Sequence, residues 1–252
     1  MQDIDLAIIG GTGLYAFPGL IDVERHTATT RWGAPSAPIV TGKLAGCSIA
    51  FLARHGEVHT LAPHRINYRA NLAALHALGA RRIIGINAVG GIRDDMAPRA
   101  LAVPDQLIDY THGRADSFCD AEDEPVLHID FSEPYTRTLR LALLDAARRA
   151  SVFTIDGGCY GATQGPRLET KAEIARMRRD GCDLVGMTGM PEAALARELR
   201  IDYACLALVA NWAAGCGGQG DISLEEIHAH LAAATLWVPP IIAALIAVKP
   251  DA

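Results

Sequence analysis

The sequence predicts an α/β fold in which helices flank a largely buried central sheet, within one domain covering residues 1–252. Short apolar runs, typical of buried strands, alternate along the chain with segments whose apolar residues recur at helical spacing. With 252 residues, of which 50% are hydrophobic, the chain is large enough to bury one sizeable core. The sequence contains no repeat or flexible linker that would divide it.

The first half of the chain contains three apolar runs, and each leads towards a polar or glycine-rich segment. Residues 6–9 lead into Gly-Gly-Thr-Gly at 10–13, and residues 48–52 precede Arg54. The third run, residues 82–86, is followed by Asn-Ala-Val-Gly-Gly. Because short apolar runs bounded in this way are typical of buried strands, we predict a strand at each of the three.

Leucines at helical spacing predict a helix over residues 67–78. In the second half, the pattern predicts a strand at 184–187, a helix at 191–199 and a strand at 203–210. The acidic stretch at 116–124 predicts an exposed loop. Ligands of open α/β sheets bind where strands end, so we expect the site among the polar segments at these ends.

The C-terminal segment 231–248 is almost wholly apolar and about long enough to cross a bilayer. Pro239 and Pro240 interrupt it, however, and a membrane helix would not need the capping signal that lies just upstream. That signal is Ser223 followed by Glu226, which predicts the start of an ordinary helix. We therefore predict a buried, proline-broken terminal helix and no membrane partner.

Charge and cysteine content argue against several classes of function. The formal net charge is −6 and lysines and arginines are not clustered, so we expect no nucleic-acid partner. The six cysteines lack CxxC spacing, which is typical of reduced thiols in the cytoplasm and not of a metal site. The segment after Met1 has no basic start of a signal peptide, so we expect a cytoplasmic protein.

The glycine-rich segment formally matches the dinucleotide fingerprint through Gly11, Gly13 and Ala16. A nicotinamide dehydrogenase would also need an acidic residue about 20 positions further on, and the sequence has none there. Glycine-rich backbone together with the Thr12 hydroxyl can instead cradle an oxyanion. The alternative is a tight turn that requires positive φ.

Two further predicted strand ends carry donors for phosphate. Arginine binds phosphate in a bidentate manner, and Arg54 is followed by His55, which can add a donor. Thr188 supplies a hydroxyl after the strand at 184–187. Each of these features alone is typical of ordinary structure, but three strand ends with phosphate donors indicate a phosphate site.

Six segments between residue 8 and about residue 200 resemble, in order, the motifs of the trimeric purine nucleoside and methylthioadenosine phosphorylases. They are IIGGTGLY, ARHG, HTLAPHRINYRAN, NAVGG, GPRLET and MTGMPEA. The resemblance implies a mixed sheet of the nucleoside phosphorylase fold, and a homotrimer or a hexamer built as a dimer of trimers. It implies a purine nucleoside and inorganic phosphate as co-substrates, with no metal and no cofactor.

The resemblance also implies roles for individual residues. It places phosphate against Thr12, Arg54, His55, Thr188 and the backbone of Ala88, ribose against Met187, and the purine against Glu169 and Asn211. Catalysis is expected to involve Asn211, Glu169 and His55. Phosphate attacks C1′ as the purine leaves, so no covalent nucleophile is needed, and the protein holds phosphate and stabilises the departing base.

The hydrogen-bonding groups of the purine decide between bases. Hypoxanthine presents N1–H as a donor, which the Glu169 carboxylate can accept, whereas adenine presents the N1 lone pair, which a carboxylate repels. The Asn211 amide can donate to O6 or N7. Such a mismatch in a buried pocket is costly, so we expect a 6-oxopurine, although ARHG and HTLAPHRINYRAN resemble the methylthioadenosine branch.

For the 5′ group, Leu224 stands where the methylthioadenosine branch has an apolar residue, although it can equally pack the start of its own helix. His128 resembles a residue that reaches the 5′ region from a neighbouring subunit. We therefore expect phosphorolysis of S-methyl-5′-thioinosine to hypoxanthine and 5-methylthioribose 1-phosphate. The alternatives are an inosine/guanosine phosphorylase, a methylthioadenosine phosphorylase and, from another class, a non-catalytic nucleoside-binding protein.

Overall fold

The computed structural model describes residues 4–120, 126–218 and 222–248, and these contain an 11-stranded sheet. The strands are β1 (Leu6–Gly10), β2 (Ile21–His26), β3 (Ile39–Leu44), β4 (Cys47–Ala53), β5 (Arg82–Gly91), β6 (Leu101–Val103), β7 (Gln106–Asp109), β8 (Ile155–Asp156), β9 (Cys159–Ala162), β10 (Leu184–Gly186) and β11 (Asp202–Trp212). The helices are α1 (Tyr68–Ala77), α2 (Arg137–Arg149), α3 (Lys171–Asp180), α4 (Glu192–Glu198), α5 (Leu224–Thr235) and α6 (Val238–Ile246). The predicted α/β fold is confirmed.

The sheet is mixed, and its centre is parallel. Strands β4, β1, β5 and β11 pair in parallel, whereas β10 pairs antiparallel with β5. All five residues of β1 and most of β5 and β11 are buried, as expected of strands covered on both faces. Helices α1, α2 and α4 to α6 pack around this core.

One edge of β5 is open in the middle of the sheet. Strand β1 pairs with β5 up to Gly85, and β10 begins to pair at Gly90 on the same edge. Within the described residues, positions 86–89 of β5 therefore have no strand partner on that side. The opening lies at the centre of the sheet, where backbone groups of β5 are available to a side chain or a ligand.

Two predicted strands are longer than the sequence indicated. The Asn-Ala-Val-Gly-Gly segment is the end of β5 and does not follow it, and β11 continues through Asn211 to Trp212. The two strands pair over their whole length, and this pairing keeps both extended beyond their apolar runs. Pairing of this kind is long-range, so a local apolar pattern does not reveal it.

The dinucleotide alternative is wrong. The described chain has no helix between β1 and β2, so the helix N-terminus that would hold a pyrophosphate is absent there. The glycines instead serve close packing, because a Cβ on Gly11 would lie 2.6 Å from the carbonyl oxygen of Ile86. Gly13 has a φ of +85°, so the tight-turn requirement applies at that position.

The C-terminal apolar segment forms two helices that join at residues 236–237. Ser223 caps α5 by accepting from the backbone N–H of Glu226 at 3.4 Å, as predicted. The break precedes Pro239, which lies in the first turn of α6 and is tolerated there. The stretch Leu224–Ile246 has the length and hydropathy of a membrane span, but α6 buries its apolar side chains against α2.

Of the acidic stretch 116–124, residues 121–124 lie outside the described part of the chain. The described part is a loop, as predicted, but Phe118 within it is buried. Its ring packs edge-on against Trp32 at a centroid distance of 4.6 Å. Phe118 therefore anchors the loop to the hydrophobic core.

Candidate active site

A cavity of about 420 Å³ lies at the opening in the sheet. It is within the size range of small-molecule sites. The predicted residues that line it are Thr12, Arg54, His55, Ala88, Glu169, Met187, Thr188 and Asn211. Residues far apart in sequence thus meet in one cavity, whereas Leu224 and His128 do not line it.

The buried Arg54 side chain occupies the gap between β1 and β5. Its guanidinium donates to the carbonyl oxygens of Ile86 at 2.8 Å and Ile9 at 3.4 Å, where the two strands part. Its Nε and one Nη also donate to the two carboxylate oxygens of Glu192, both at 2.8 Å. Burial alone disfavours the charge, but the Glu192 carboxylate outweighs this effect and raises the pKa of Arg54.

This geometry corrects the role predicted for Arg54. A bidentate contact with phosphate is excluded in this conformation, because the fork of the guanidinium already holds Glu192. Of its five N–H groups, one on Nη1 has no hydrogen-bond partner among the described residues. Glu192 is fully buried and also accepts from the Tyr203 hydroxyl at 2.7 Å. The sequence analysis missed Glu192, although it lies within the MTGMPEA motif.

Asn87 connects two of the predicted phosphate donors. Its side-chain oxygen accepts from Arg54 at 3.3 Å, and its amide donates to the Thr188 Oγ at 2.9 Å. Because Thr188 accepts this bond, its own hydroxyl proton is free to donate into the cavity. Asn87 is fully buried and was quoted within NAVGG without a role.

His55 lines the cavity, and the tautomer of its ring is fixed by a backbone contact. Its Nδ1 lies 2.8 Å from the carbonyl oxygen of Leu61, which can only accept, so Nδ1 carries the proton. Burial, together with the charge of Arg54, lowers the pKa of His55 to about 4. In its neutral form the ring presents Nε2 as an acceptor, which can bind the hydroxyl of a hydrogen phosphate.

His59 also lines the cavity, and the sequence analysis did not assign it. Its ring stacks on His55 at a centroid distance of 4.5 Å, and its Nδ1 lies 3.1 Å from the Tyr15 hydroxyl. Burial and the neighbouring His228 lower the pKa of His59. The φ of His59 is +54°, an uncommon value for a residue other than glycine. The HTLAPHRINYRAN motif contains this residue.

Glu169 lines the same cavity and lies on the loop that follows β9. One of its carboxylate oxygens accepts from the Thr163 hydroxyl at 2.6 Å. The loop backbone is held by Arg114, which donates to the carbonyl oxygens of Thr163 at 3.1 Å and Gln164 at 3.0 Å. Arg114 also donates to the carbonyl oxygen of Met187 at 2.9 Å. The loop is therefore tied to the chain segment that follows β10.

Asn211 is aimed by a β-bulge in β11. Val209 pairs with Val89 and Asn211 with Gly90, so Ala210 is an extra residue in the strand. The Ala210 carbonyl oxygen lies 2.9 Å from Nδ1 of His230, a residue of α5. The Asn211 amide donates once to the Trp212 carbonyl oxygen at 2.7 Å and keeps a second N–H for the cavity.

An apolar wall completes the cavity, and α5 supplies part of it through Ile227 and Leu231. Ile222 lies just before the helix and adds to the wall. Leu224, the first residue of α5, is 67% exposed and does not line the cavity. His128 is exposed in an extended segment outside the cavity, so within this single chain neither of these two residues reaches it.

The lining suits both an anionic group and a planar polar group. Donors for an anion come from the glycine-rich backbone, Thr12, Thr188 and Arg54. Glu169 and Asn211 add a carboxylate and an amide to the same lining. Among the described residues, no three His, Cys, Asp or Glu side chains are grouped as a metal site would require.

Comparisons with known proteins agree with this geometry. The family model described as "Phosphorylase superfamily" matches residues 5–247. A probable S-methyl-5′-thioinosine phosphorylase of Xanthomonas campestris pv. campestris is 57% identical over 97% of this chain and 98% of its own. A 6-oxopurine nucleoside phosphorylase of Pyrococcus furiosus is 45% identical over 85% and 82%. The crystal structure of a methylthioadenosine phosphorylase from an antarctic soil metagenomic library superposes with a TM-score of 0.91 at 35% identity, covering 98% and 86%.

Proposed function

This chain belongs to the phosphorylase superfamily, and from that premise we propose that it cleaves S-methyl-5′-thioinosine with phosphate. The products are hypoxanthine and 5-methylthioribose 1-phosphate. The observation that carries the proposal is a single cavity lined both by anion donors and by a carboxylate and an amide. An enzyme that activates phosphate against a nucleoside needs both sets of groups in reach of one ligand, whereas a nucleoside-binding protein has no use for the first.

At the phosphate end, we assign binding to Thr12, Thr188, the remaining N–H of Arg54 and the backbone of Ala88. His55 accepts a hydrogen bond from the phosphate hydroxyl through Nε2, which orients the anion. Glu192 balances the buried positive charge of Arg54, so the site itself carries no large net positive charge. Phosphate is then bound mainly through hydrogen bonds from these donors.

The chemistry is a displacement at C1′ with no covalent intermediate on the protein. A phosphate oxygen forms a bond to C1′ while the bond from C1′ to the purine nitrogen breaks, and that electron pair leaves with the base. Negative charge therefore grows on N7 and O6 of hypoxanthine, where the Asn211 amide donates. Met187 contacts the ribose between the two ends.

At the base end, Glu169 accepts the N1–H of hypoxanthine, a bond that adenine cannot offer. The names of the relatives support this choice, since those compared include a probable methylthioinosine phosphorylase and a 6-oxopurine nucleoside phosphorylase. The apolar wall of Ile222, Ile227 and Leu231 favours a methylthio group over the 5′-hydroxyl of inosine. We place the 5′ group against this wall, because Leu224, which the resemblance suggested for it, does not line the cavity of its own chain.

We further propose a homotrimer or a dimer of trimers, in which His128 approaches the 5′ region of a neighbouring subunit. Val126 and Leu127, next to His128, are 72% and 49% exposed, as apolar residues at a subunit contact would be in an isolated chain. A cytoplasmic enzyme without metal or cofactor fits the same proposal. Sedimentation that shows a fully active monomer at assay concentration would exclude the shared site.

The proposal is tested by the dependence of base release on phosphate. Purified protein incubated with methylthioinosine should release hypoxanthine only when phosphate is present, and the sugar should be recovered as its 1-phosphate. A chelator should leave the rate unchanged. Release at the same rate in phosphate-free buffer would identify a hydrolase, and binding without release would identify a nucleoside-binding protein.

A further inference from the structure

We propose that Thr163 is a positioning residue that selects the base by fixing the Glu169 carboxylate, an inference that rests on the proposed function. Thr163 follows β9, is 7% exposed and has no role in the assignments above. Its hydroxyl donates to one carboxylate oxygen of Glu169 at 2.6 Å. That distance is in the range of a hydrogen bond from a hydroxyl to a charged oxygen.

The direction of this hydrogen bond is determined by its surroundings. The Thr163 hydroxyl has one proton and two acceptors within reach, the Glu169 carboxylate at 2.6 Å and the Gly186 carbonyl oxygen at 3.3 Å. The Gly186 oxygen already accepts from the Thr163 backbone N–H at 2.8 Å. The shorter contact to the charged group therefore takes the proton.

The hydroxyl is held in place before any ligand binds. Arg114 donates to the carbonyl oxygens of Thr163 and Gln164, and the same guanidinium donates to that of Met187. The backbone around Thr163 is thus tied through Arg114 to Met187, which lines the first cavity. A donor on a fixed backbone lowers the cost of orienting the carboxylate when the purine binds.

The hydrogen bond lies at the border of two cavities. Glu169 lines both of them, whereas Thr163 lines the second and not the first, together with Arg167 and Arg176. Arg167 is already paired with Glu173 at 2.7 Å, and Glu169 adds to the attraction it experiences. We infer that the Thr163 hydroxyl holds one oxygen of Glu169 on this side and keeps the carboxylate from turning to the arginines, so that the second oxygen faces the N1–H of a 6-oxopurine in the first cavity.

Variants at position 163 test this role through the ratio of two substrates. The measurement is kcat/KM for methylthioinosine and for methylthioadenosine, which differ only in the base. Thr163→Val keeps the shape but removes the donor, and it should lower the ratio of the two constants about tenfold, the scale of one hydrogen bond to a charged group. Thr163→Ser restores the hydroxyl and should keep the ratio within about threefold of wild type.

Thr41→Val is a matched control. Thr41 lies on β3, is 4% exposed and does not line the first cavity. Its hydroxyl shares a 2.7 Å hydrogen bond with His26 on β2. This variant should lower the melting temperature but leave the substrate ratio unchanged. If Thr163→Val does not fold, Thr163→Ala supplies the second donor-free variant, and both can be compared by calorimetric binding of hypoxanthine and adenine.

The outcomes separate the inference from the function on which it rests. A wild-type enzyme that does not prefer methylthioinosine overturns the proposed function. A wild-type preference that survives intact in the donor-free variants overturns only the role of Thr163. An equal loss of both activities indicates a merely structural residue and also overturns it, whereas a collapsed ratio that serine rescues supports it.

Discussion

The buried pair of Arg54 and Glu192 determines how the phosphate end of the cavity is charged. Both side chains are fully buried, and Glu192 receives donors from Arg54 and Tyr203. A buried pair of this kind adds little net stability, but removal of one partner leaves an uncompensated charge. Glu192 therefore neutralises much of the positive charge of Arg54, and only the remainder can attract an anion.

Glu192→Gln should reveal this balance. The amide keeps the shape but removes the negative charge, and we expect a loss of about 3–5 kcal/mol of folding free energy. Phosphate should then raise the melting temperature of the variant more than that of the wild type, because the anion compensates Arg54. Thermal unfolding with and without phosphate measures both effects, and equal shifts in the two proteins would contradict the assignment of Arg54 to phosphate.

The neutral state of His55 has a consequence for stability. Its pKa is lowered from 6.5 to about 4 in the folded protein, chiefly by burial, so the unfolded chain binds more protons between these values. Stability should therefore fall as the pH drops below 6.5, and this loss should level off below about pH 4. His59 and His76 shift in the same direction and add to it.

His55→Gln isolates this contribution, since glutamine can still donate to the Leu61 carbonyl oxygen. Between pH 7 and pH 5, the wild type should lose about 2 kcal/mol more folding free energy than the variant. Urea unfolding at the two pH values measures the difference. His64→Gln, at an exposed position, is the control and should follow the wild type. A His55 variant with unchanged pH dependence would show that the ring is not buried in its neutral form.

The proposed choice of base rests on residue 211 as well as on Glu169. Asn211→Asp introduces a carboxylic acid that can protonate N7 of a departing adenine, whereas the amide can only share hydrogen bonds with N7 and O6. We expect lower activity on methylthioinosine and higher relative activity on methylthioadenosine, a swing of about 1–3 kcal/mol in relative kcat/KM. Adding Glu169→Ser should extend it, although effects at two sites on one ligand need not add. An unchanged ratio would show that the base does not contact residue 211.

At the scale of elements, the bulge in β11 links the base end of the cavity to α5. Ala210 is the extra residue, and its carbonyl oxygen accepts from His230 on α5. The same helix supplies Ile227 and Leu231 to the apolar wall. A shift of α5 would therefore move both the apolar wall and, through the bulge, the side chain of Asn211.

His230→Phe should disturb both ends of the nucleoside site through this link. The ring volume is kept, but the hydrogen bond to Ala210 is lost, at a cost of about 1 kcal/mol in stability. Steady-state kinetics should show a raised KM for nucleoside and an unaltered KM for phosphate, because the phosphate donors lie on other elements. A variant that changes only the phosphate KM would contradict the link.

Sequence patterns located elements well where the signal was local. The strand at 6–9 and the helix at 67–78 were predicted within a residue or two of β1 and α1, because apolar runs and helical spacing are local. The extension of β5 and β11 was missed because it arises from their mutual pairing. The tautomer of His55 could not be predicted for a similar reason, since the Leu61 carbonyl fixes it only in the folded chain.

Residues quoted within motifs but given no role proved to support those that were assigned. Asn87 bonds to Arg54 and Thr188, and Glu192 bonds to Arg54. Residue type alone does not predict these roles, because each of the two residues binds a buried side chain and not a ligand. Thr163 carries no motif signal at all. The contacts of Asn87 with Thr188 and of Glu192 with Arg54 join segments 101 and 138 positions apart, so they depend on the topology of the sheet.

At the scale of the whole molecule, the opening of the sheet beside β5 explains where the site lies. Strands β1 and β10 leave β5 uncovered between Gly85 and Gly90, and the cavity occupies that gap. The loop after β9 and the start of α5 close its sides. In the proposed function, specificity for the base and for the 5′ group is therefore carried by elements other than those assigned to phosphate.

The most direct test is a comparison of kcat/KM for methylthioinosine, methylthioadenosine and inosine on one enzyme preparation with saturating phosphate. The carboxylate and amide at the base end predict that methylthioinosine is preferred over methylthioadenosine by at least about tenfold, the scale of one buried hydrogen bond to a charged group. The apolar wall predicts that methylthioinosine is also preferred over inosine. A preference for methylthioadenosine would contradict the assignment of Glu169 and Asn211, and a preference for inosine would contradict that of the wall.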